Sequence, residues 1–206
     1  MNVDNPTDRR AQYPIVCIGM SAGAVKPLEE LFRSLSPATG MAFVVIHHLR
    51  SHPTLLHRML PCCTSMPVHL VDEGIKVHPN EVYVIPSGKE MTLMDGTLEL
   101  KPRSRVHGWA NVVSIFINSL AKSQHCGIVV ILSGMDEDGS EALKAFKEHG
   151  GITIAQAPET ASYRGMPDAA IKSGSVDYVL APENISSQLN EIAAKFRSRD
   201  IKNVRK

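Results

Sequence analysis

The chain has 206 residues, 43% of them hydrophobic and 21% charged, with a formal net charge of +1; that is enough chain for one domain with a substantial core. The near-neutral balance gives no general pull toward nucleic acid or an anionic membrane, and no run approaches the roughly 18 apolar residues of a membrane span. The polar opening MNVDNPTDRRAQY lacks the apolar stretch of a secretory signal, and four cysteines without C-x-x-C spacing fit a reduced, cytoplasmic protein.

Residues 1–12 read as a loose leader. Ile15–Ile18 is a short apolar strand ending at the turn Gly19-Met20-Ser21-Ala22-Gly23, and a helix follows over about Lys26–Leu35. Met41–His48 is apolar enough for a strand covered on both faces, and a helix then runs through Leu55, Leu56 and Leu60. Val68–Val71 and Glu81–Pro86 are short strands linked by a turn around Gly74. Met91–Met94 and Leu98–Leu100 flank Asp95-Gly96, which supplies the positive φ of a two-residue hairpin loop. A basic loop over 101–110 carries the only tryptophan, Trp109. Val112, Ile115, Phe116 and Leu120 mark an amphipathic helix. Gly127–Leu132 is a third buried strand, ending in Ser133-Gly134-Met135-Asp136-Glu137-Asp138-Gly139. A helix from Ser140, strands at Ile152–Ala155 and Val176–Leu180, and a final helix through Ile185, Leu189, Ile192 and Phe196 complete the order. Strands alternating with helices predict an α/β fold: a doubly wound, mostly parallel sheet flanked by helices, with a small β-hairpin excursion. The domain is expected over 13–197, and 198–206 as a basic tail. Cys17 and Cys126 read as small hydrophobes, and adjacent Cys62 and Cys63 as redox candidates of lesser weight.

The Gly-rich turn after the first strand has two chemical readings. A dinucleotide site would need a second glycine where Ser21 stands and a carboxylate ending the second strand, which instead ends in His47-His48. A phosphate loop would need Gly-Lys-Ser/Thr, which is absent. The other reading is a nucleophile turn, with Ser21 raised at the end of its strand. Ser21, His47/His48 and Asp136/Asp138 follow three buried strands, and in an open parallel sheet those ends border one crevice. A serine nucleophile needs an imidazole to take its proton and a carboxylate to orient that imidazole. The plainer readings are that Ser21 caps a helix, that His48 is satisfied by its neighbours and that Asp138-Gly139 is a turn or cap. Asp136–Gly139 also has a faint likeness to a calcium loop, without its later ligands. No histidine spacing marks a metal site.

The blocks IGMSAG, FVVIHHL, VYVIPSGKEMTL, VVILSGMDEDGSEAL and AQAPETASYRGMPDAAI together resemble the catalytic domain of the chemotaxis receptor-glutamate methylesterase (CheB-type) family, over about Tyr13–Ile192. The resemblance implies hydrolysis of γ-glutamyl methyl esters on the cytoplasmic helices of methyl-accepting chemotaxis receptors, often with deamidation of glutamines. By matching positions, Ser21 is the nucleophile, His48 the general base and Asp138 its orienting acid. Met135, aided by Ala22, would supply backbone N–H groups to the oxyanion. No metal or cofactor is implied. The family usually has glycine where Ala24 stands and aspartate where Val113 stands, a difference expected to alter helix entry and substrate contacts. The receiver domain of the best-known members is missing, so the expectation is an excised domain or a stand-alone esterase, working with a fused or separate methyltransferase. A basic and aromatic surface around Arg103, Arg105 and Trp109, and around Tyr163, Arg164 and Met166, is the expected receptor contact. The alternative is a catalytically weak or inactive domain of the same fold, acting as a regulatory module that binds a receptor or partner.

Overall fold

The structure, a computed structural model, describes residues 13–48, 53–103, 111–123 and 125–204, with 199–204 described for the backbone alone. Its main sheet has seven strands in the order β10-β9-β8-β1-β2-β5-β3. These are β1 (Ile15–Met20), β2 (Ala42–His47), β3 (Val68–Leu70), β5 (Val82–Val84), β8 (Gly127–Ile131), β9 (Ile152–Gln156) and β10 (Tyr178–Leu180). Every pairing in this sheet is parallel, so the expected mixed character is confined to the excursion. That excursion is larger than a hairpin. β4 (Ile75–Lys76) pairs antiparallel with β7 (Thr97–Pro102), which pairs with β6 (Lys89–Met94). Two residues are too few to show a period, so the stretch after Gly74 reads as a turn in the sequence.

Alternation along the central strands divides the core between two faces. Ile15, Cys17, Val44, Ile46, Val129 and Ile131 face one cluster, and Val16, Ile18, Phe43, Val45, Ile128 and Val130 face the other. The first face is covered by α3 (Val112–Lys122), α4 (Ser140–Glu148), α5 (Gly165–Lys172) and the small sheet; the second by α1 (Val25–Ser34), α2 (Leu56–Met59) and α6 (Pro182–Val204). α6 runs on through most of the stretch expected to be tail. The leader and much of the basic loop, with Arg105 and Trp109, lie outside the described residues. None of the four cysteines is in a disulfide; Cys17 is buried in β1, where its thiol behaves as core.

At the amino end of the sheet, Asp177 ties β9 to the start of β10. It accepts from Lys147 Nζ (2.7 Å) and from Thr153 N–H (2.9 Å). Burial alone would raise its pKa, but Lys147 and Thr153 hold it below the usual carboxylate value. Its contribution is therefore present above pH 4 and disappears as pH falls through the lowered pKa. Asp177→Ala is expected to lower stability by about 1–2 kcal/mol in urea unfolding at neutral pH, with the difference closing in acid.

The chain runs from β1 outward to β2 and then crosses back to place β8 on the other side of β1. That reversal opens a crevice at the carboxyl ends of β1 and β8, where open α/β sheets bind their ligands.

Candidate active site

The Ser21 N–H donates to Ser133 O (2.9 Å), extending the β1–β8 pairing one step beyond β1 and holding the serine at the carboxyl edge of the sheet. Gly23 takes φ +75°, and a Cβ there would lie 2.6 Å from Ser162 Cβ and 2.9 Å from the Tyr163 ring. Only glycine meets both demands. Ala24 opens α1 at φ −90° and is fully buried, so its methyl group joins the core without backbone strain. α1 has no side-chain cap, so Ser21 is not a capping hydroxyl. Its Oγ has no hydrogen-bond partner among the described residues.

Parallel register sets Met20 beside His47, so Ser21 and His48 leave neighbouring strands at one level. The two histidines differ sharply. Burial lowers the His47 pKa to about 4, with the charges of His48 and Arg103 acting in the same sense and a backbone hydrogen bond at Ile85 opposing them. His47 is therefore neutral. His48 stands in the crevice, its Nε2 2.7 Å from Asp138 Oδ2. Its Nδ1 is 2.8 Å from Asp136 Oδ2, at ion-pair distance but without hydrogen-bond alignment. Burial opposes charge on this ring, but the two carboxylates outweigh it and push His48 up to about 9. Arg103 Nη1 donates to His48 O (3.2 Å), so part of the expected receptor-contact surface instead holds the histidine's backbone.

Asp138 is almost wholly enclosed, its side chain 1% exposed. Besides His48 it accepts from Val113 N–H (2.8 Å), Ser114 N–H (3.0 Å) and Ser114 Oγ (2.7 Å). The N-cap residue of α3, Asn111, gives the helix no side-chain capping bond. A carboxylate from the β8–α4 loop thus caps α3, where unpaired N–H groups and the helix dipole favour an anion. Burial would raise the Asp138 pKa, yet the bonds from His48, Ser114 and Val113 keep it below the ordinary value. Asp136 Oδ1 accepts the Asp138 N–H (3.1 Å), which orders the loop between them. Both carboxylates face His48, Asp138 alone also bonds α3, and no metal-type cluster of His, Cys, Asp and Glu occurs among the described residues.

A methyl group on Gly134 would lie 2.1 Å from Met166 Sδ and 3.0 Å from Ser21 Cβ, so this glycine lets the β8 loop pass directly beside the serine. Among the described residues, neither the Met135 nor the Ala22 N–H donates to a protein acceptor. Val113 is wholly buried, and Cβ atoms at Gly19 and Gly139 would meet its side chain at 2.5 Å and 3.0 Å. The expected effect of Val113 on substrate contacts therefore gives way to a backbone role toward Asp138. Met166 is likewise core, while Tyr163 is exposed and Arg164 pairs with Asp168 on α5. Sequence reasoning assigned no role to Ser114, nor to Asp136 separately from Asp138. The carboxylate-rich run Asp136-Glu137-Asp138 was the available signal, but nothing local says which oxygen meets the ring.

Fold and site together define an open-sheet α/β domain with a serine turn, a carboxylate-paired histidine and two unengaged backbone donors at the switch point. A family model described as CheB methylesterase matches residues 16–189. The chain belongs to the CheB methylesterase family. The crystal structure of the Thermotoga maritima CheB methylesterase catalytic domain superposes with a TM-score of 0.79 at 28% identity, covering 86% of this chain and 97% of that one. A curated protein-glutamate methylesterase/protein-glutamine glutaminase 3 of Hahella chejuensis is 31% identical over 88% of this chain and 53% of its own length. A putative protein-glutamate methylesterase/protein-glutamine glutaminase of Leptospira interrogans is 28% identical, over 84% of this chain and 92% of the relative. The chain spans about half the length of the first curated relatives it matches. No helix among the described residues is long and apolar enough to cross a membrane.

Proposed function

We infer that this protein is a cytoplasmic serine carboxylesterase that hydrolyses γ-glutamyl methyl esters on methyl-accepting chemotaxis receptors, and deamidates glutamines at the same site. The observation that carries this reading is the 2.7 Å pairing of His48 Nε2 with Asp138 Oδ2 at the switch point, one strand from the Ser21 turn. In the reaction, His48 takes the Ser21 proton as Oγ attacks the ester carbonyl. The N–H groups of Met135 and Ala22 receive the oxyanion. Collapse breaks the bond to the methoxy group, and His48 returns the proton to it as methanol, or to the amide nitrogen as ammonia. Water then cleaves the acyl-serine, leaving glutamate and restoring the serine.

The cleft beside Asp138 has a volume of about 340 Å³ and is lined by Asn111, Met135, Asp136, Glu137 and Glu141 among others. Its carboxylates suit an uncharged ester and repel the carboxylate product, which favours release. A methyl-accepting receptor helix is the proposed partner, supplied with methyl groups by a fused or separate methyltransferase.

The second reading, a binding module without turnover, is favoured by the absence of a hydrogen bond from Ser21 Oγ among the described residues and by the carboxylate that stands against each His48 nitrogen. A fluorophosphonate probe separates the two. Stoichiometric labelling mapped to Ser21, with methanol released from methylated receptor, is expected; an unlabelled folded protein that still binds receptor would establish the module.

A further inference from the structure

His48 has two ring nitrogens, and each faces a carboxylate. Nε2 lies against Asp138, while Nδ1 lies 2.8 Å from Asp136 Oδ2, a side chain 7% exposed and held by its other oxygen to the Asp138 N–H. A neutral imidazole carries one N–H, so it can donate to only one of two carboxylates, and its bare nitrogen would meet the other lone pair to lone pair. Both contacts are attractive only when the ring holds two protons. Ser21 Oγ is one strand away and has no hydrogen bond among the described residues. The nitrogen it would use is the one Asp136 occupies, because Asp138 already holds the other.

We propose that Asp136 is a positioning residue that latches His48: its carboxylate occupies Nδ1 and keeps the base from Ser21 until the contact breaks. The proposal rests on the reading of Ser21 and His48 as nucleophile and base. In opening, the Nδ1 proton passes to water in the cleft, Asp136 swings off, and the neutral ring presents a bare nitrogen to the serine hydroxyl. Asp136 lines that cleft together with Glu137 and Glu141, so the latch can be reached from the cleft.

The other described groups around His48 do not supply the second contact. Arg103 bonds its carbonyl, His47 is buried and neutral, and Asp138 is committed to Nε2 and α3. Cys17, beneath Asp138, has its thiol pKa pushed up by burial and by that carboxylate, so it carries no charge here. The raised His48 pKa agrees with a doubly protonated ring.

The test compares wild type with Asp136→Asn, which keeps an acceptor for the Asp138 N–H but removes the charge, and with Asp136→Glu, which restores it. Two quantities are read: the His48 midpoint by nitrogen NMR titration, and the acid limb of hydrolysis of 4-nitrophenyl acetate and of a methylated receptor fragment. In Asp136→Asn both should fall together by about one pH unit or more. Turnover at pH 7 should then rise about tenfold, with the alkaline plateau little changed. Asp136→Glu should return both toward wild type. An unchanged His48 midpoint in Asp136→Asn overturns the latch, as does a lowered midpoint with an unmoved acid limb. Absence of turnover at every pH in wild type would defeat the esterase reading instead, and the NMR midpoint still decides whether Asp136 holds the ring.

Discussion

Ser21→Ala is expected to lower methyl-ester hydrolysis by about 10⁴-fold or more while leaving the fold intact. The two effects separate because of how the serine is held. Its backbone N–H bonds Ser133 O, an interaction that alanine keeps, whereas its Oγ has no partner among the described residues. Nothing buried is orphaned by removing the hydroxyl, so the unfolding free energy from urea should move by less than about 0.5 kcal/mol. Methanol release from methylated receptor checks the activity, and circular dichroism with urea unfolding checks the fold. Turnover within about tenfold of wild type would remove Ser21 from the chemistry. The residual rate should reflect substrate binding and the Met135 and Ala22 donors acting on water.

Asp138→Ala should be the most damaging change in the crevice, because one carboxylate has two duties. It orients His48, and it caps α3 through Val113 and Ser114. Loss of the orienting carboxylate is expected to cost about 10⁴-fold in turnover. Loss of the cap leaves buried donors at the start of α3 unpaired and should cost about 3 kcal/mol of stability. Asp138→Asn separates the duties: its amide oxygen still accepts from Ser114, so most stability returns while activity does not. The pH dependence follows from the two shifts. Asp138 lies below its ordinary value, so its contribution is complete above about pH 4 and is lost as pH falls through the lowered pKa. His48 is raised from 6.5 to about 9, so its contribution is complete below 6.5 and declines as pH rises through 9. Wild-type stability should therefore weaken on both sides of a window from about pH 4 to 6.5, and Asp138→Ala should flatten both slopes. A variant that kept wild-type slopes would show that the pairing does not form in solution.

Much of the architecture was legible because it rests on local patterning. Continuous apolar runs mark β1, β2 and β8, helical periods mark α3, α4 and α6, and Asp-Gly marks the β6–β7 turn, all features written within a few neighbouring residues. The placement of Ser21, His48 and Asp138 at strand ends followed from the same patterns, since each lies just beyond an apolar run. β4 was not legible, because two residues gain their strand character only from a partner more than twenty positions away.

What the sequence determined by itself, then, is the alternation of strands and helices and which polar side chains stand at the carboxyl ends of the buried strands. Only the tertiary structure decided which of those side chains meet. The order β8-β1-β2 brings the serine turn between the histidine and the aspartate loop. Docking of α3 across β1 turns Val113 inward and aims the helix's first N–H groups at Asp138. The same loop brings Asp136 against Nδ1 of His48. The physical reason is one of range: hydrophobic period and turn chemistry act over a few residues, whereas the choice between Asp136 and Asp138 depends on the position of a ring some ninety positions away.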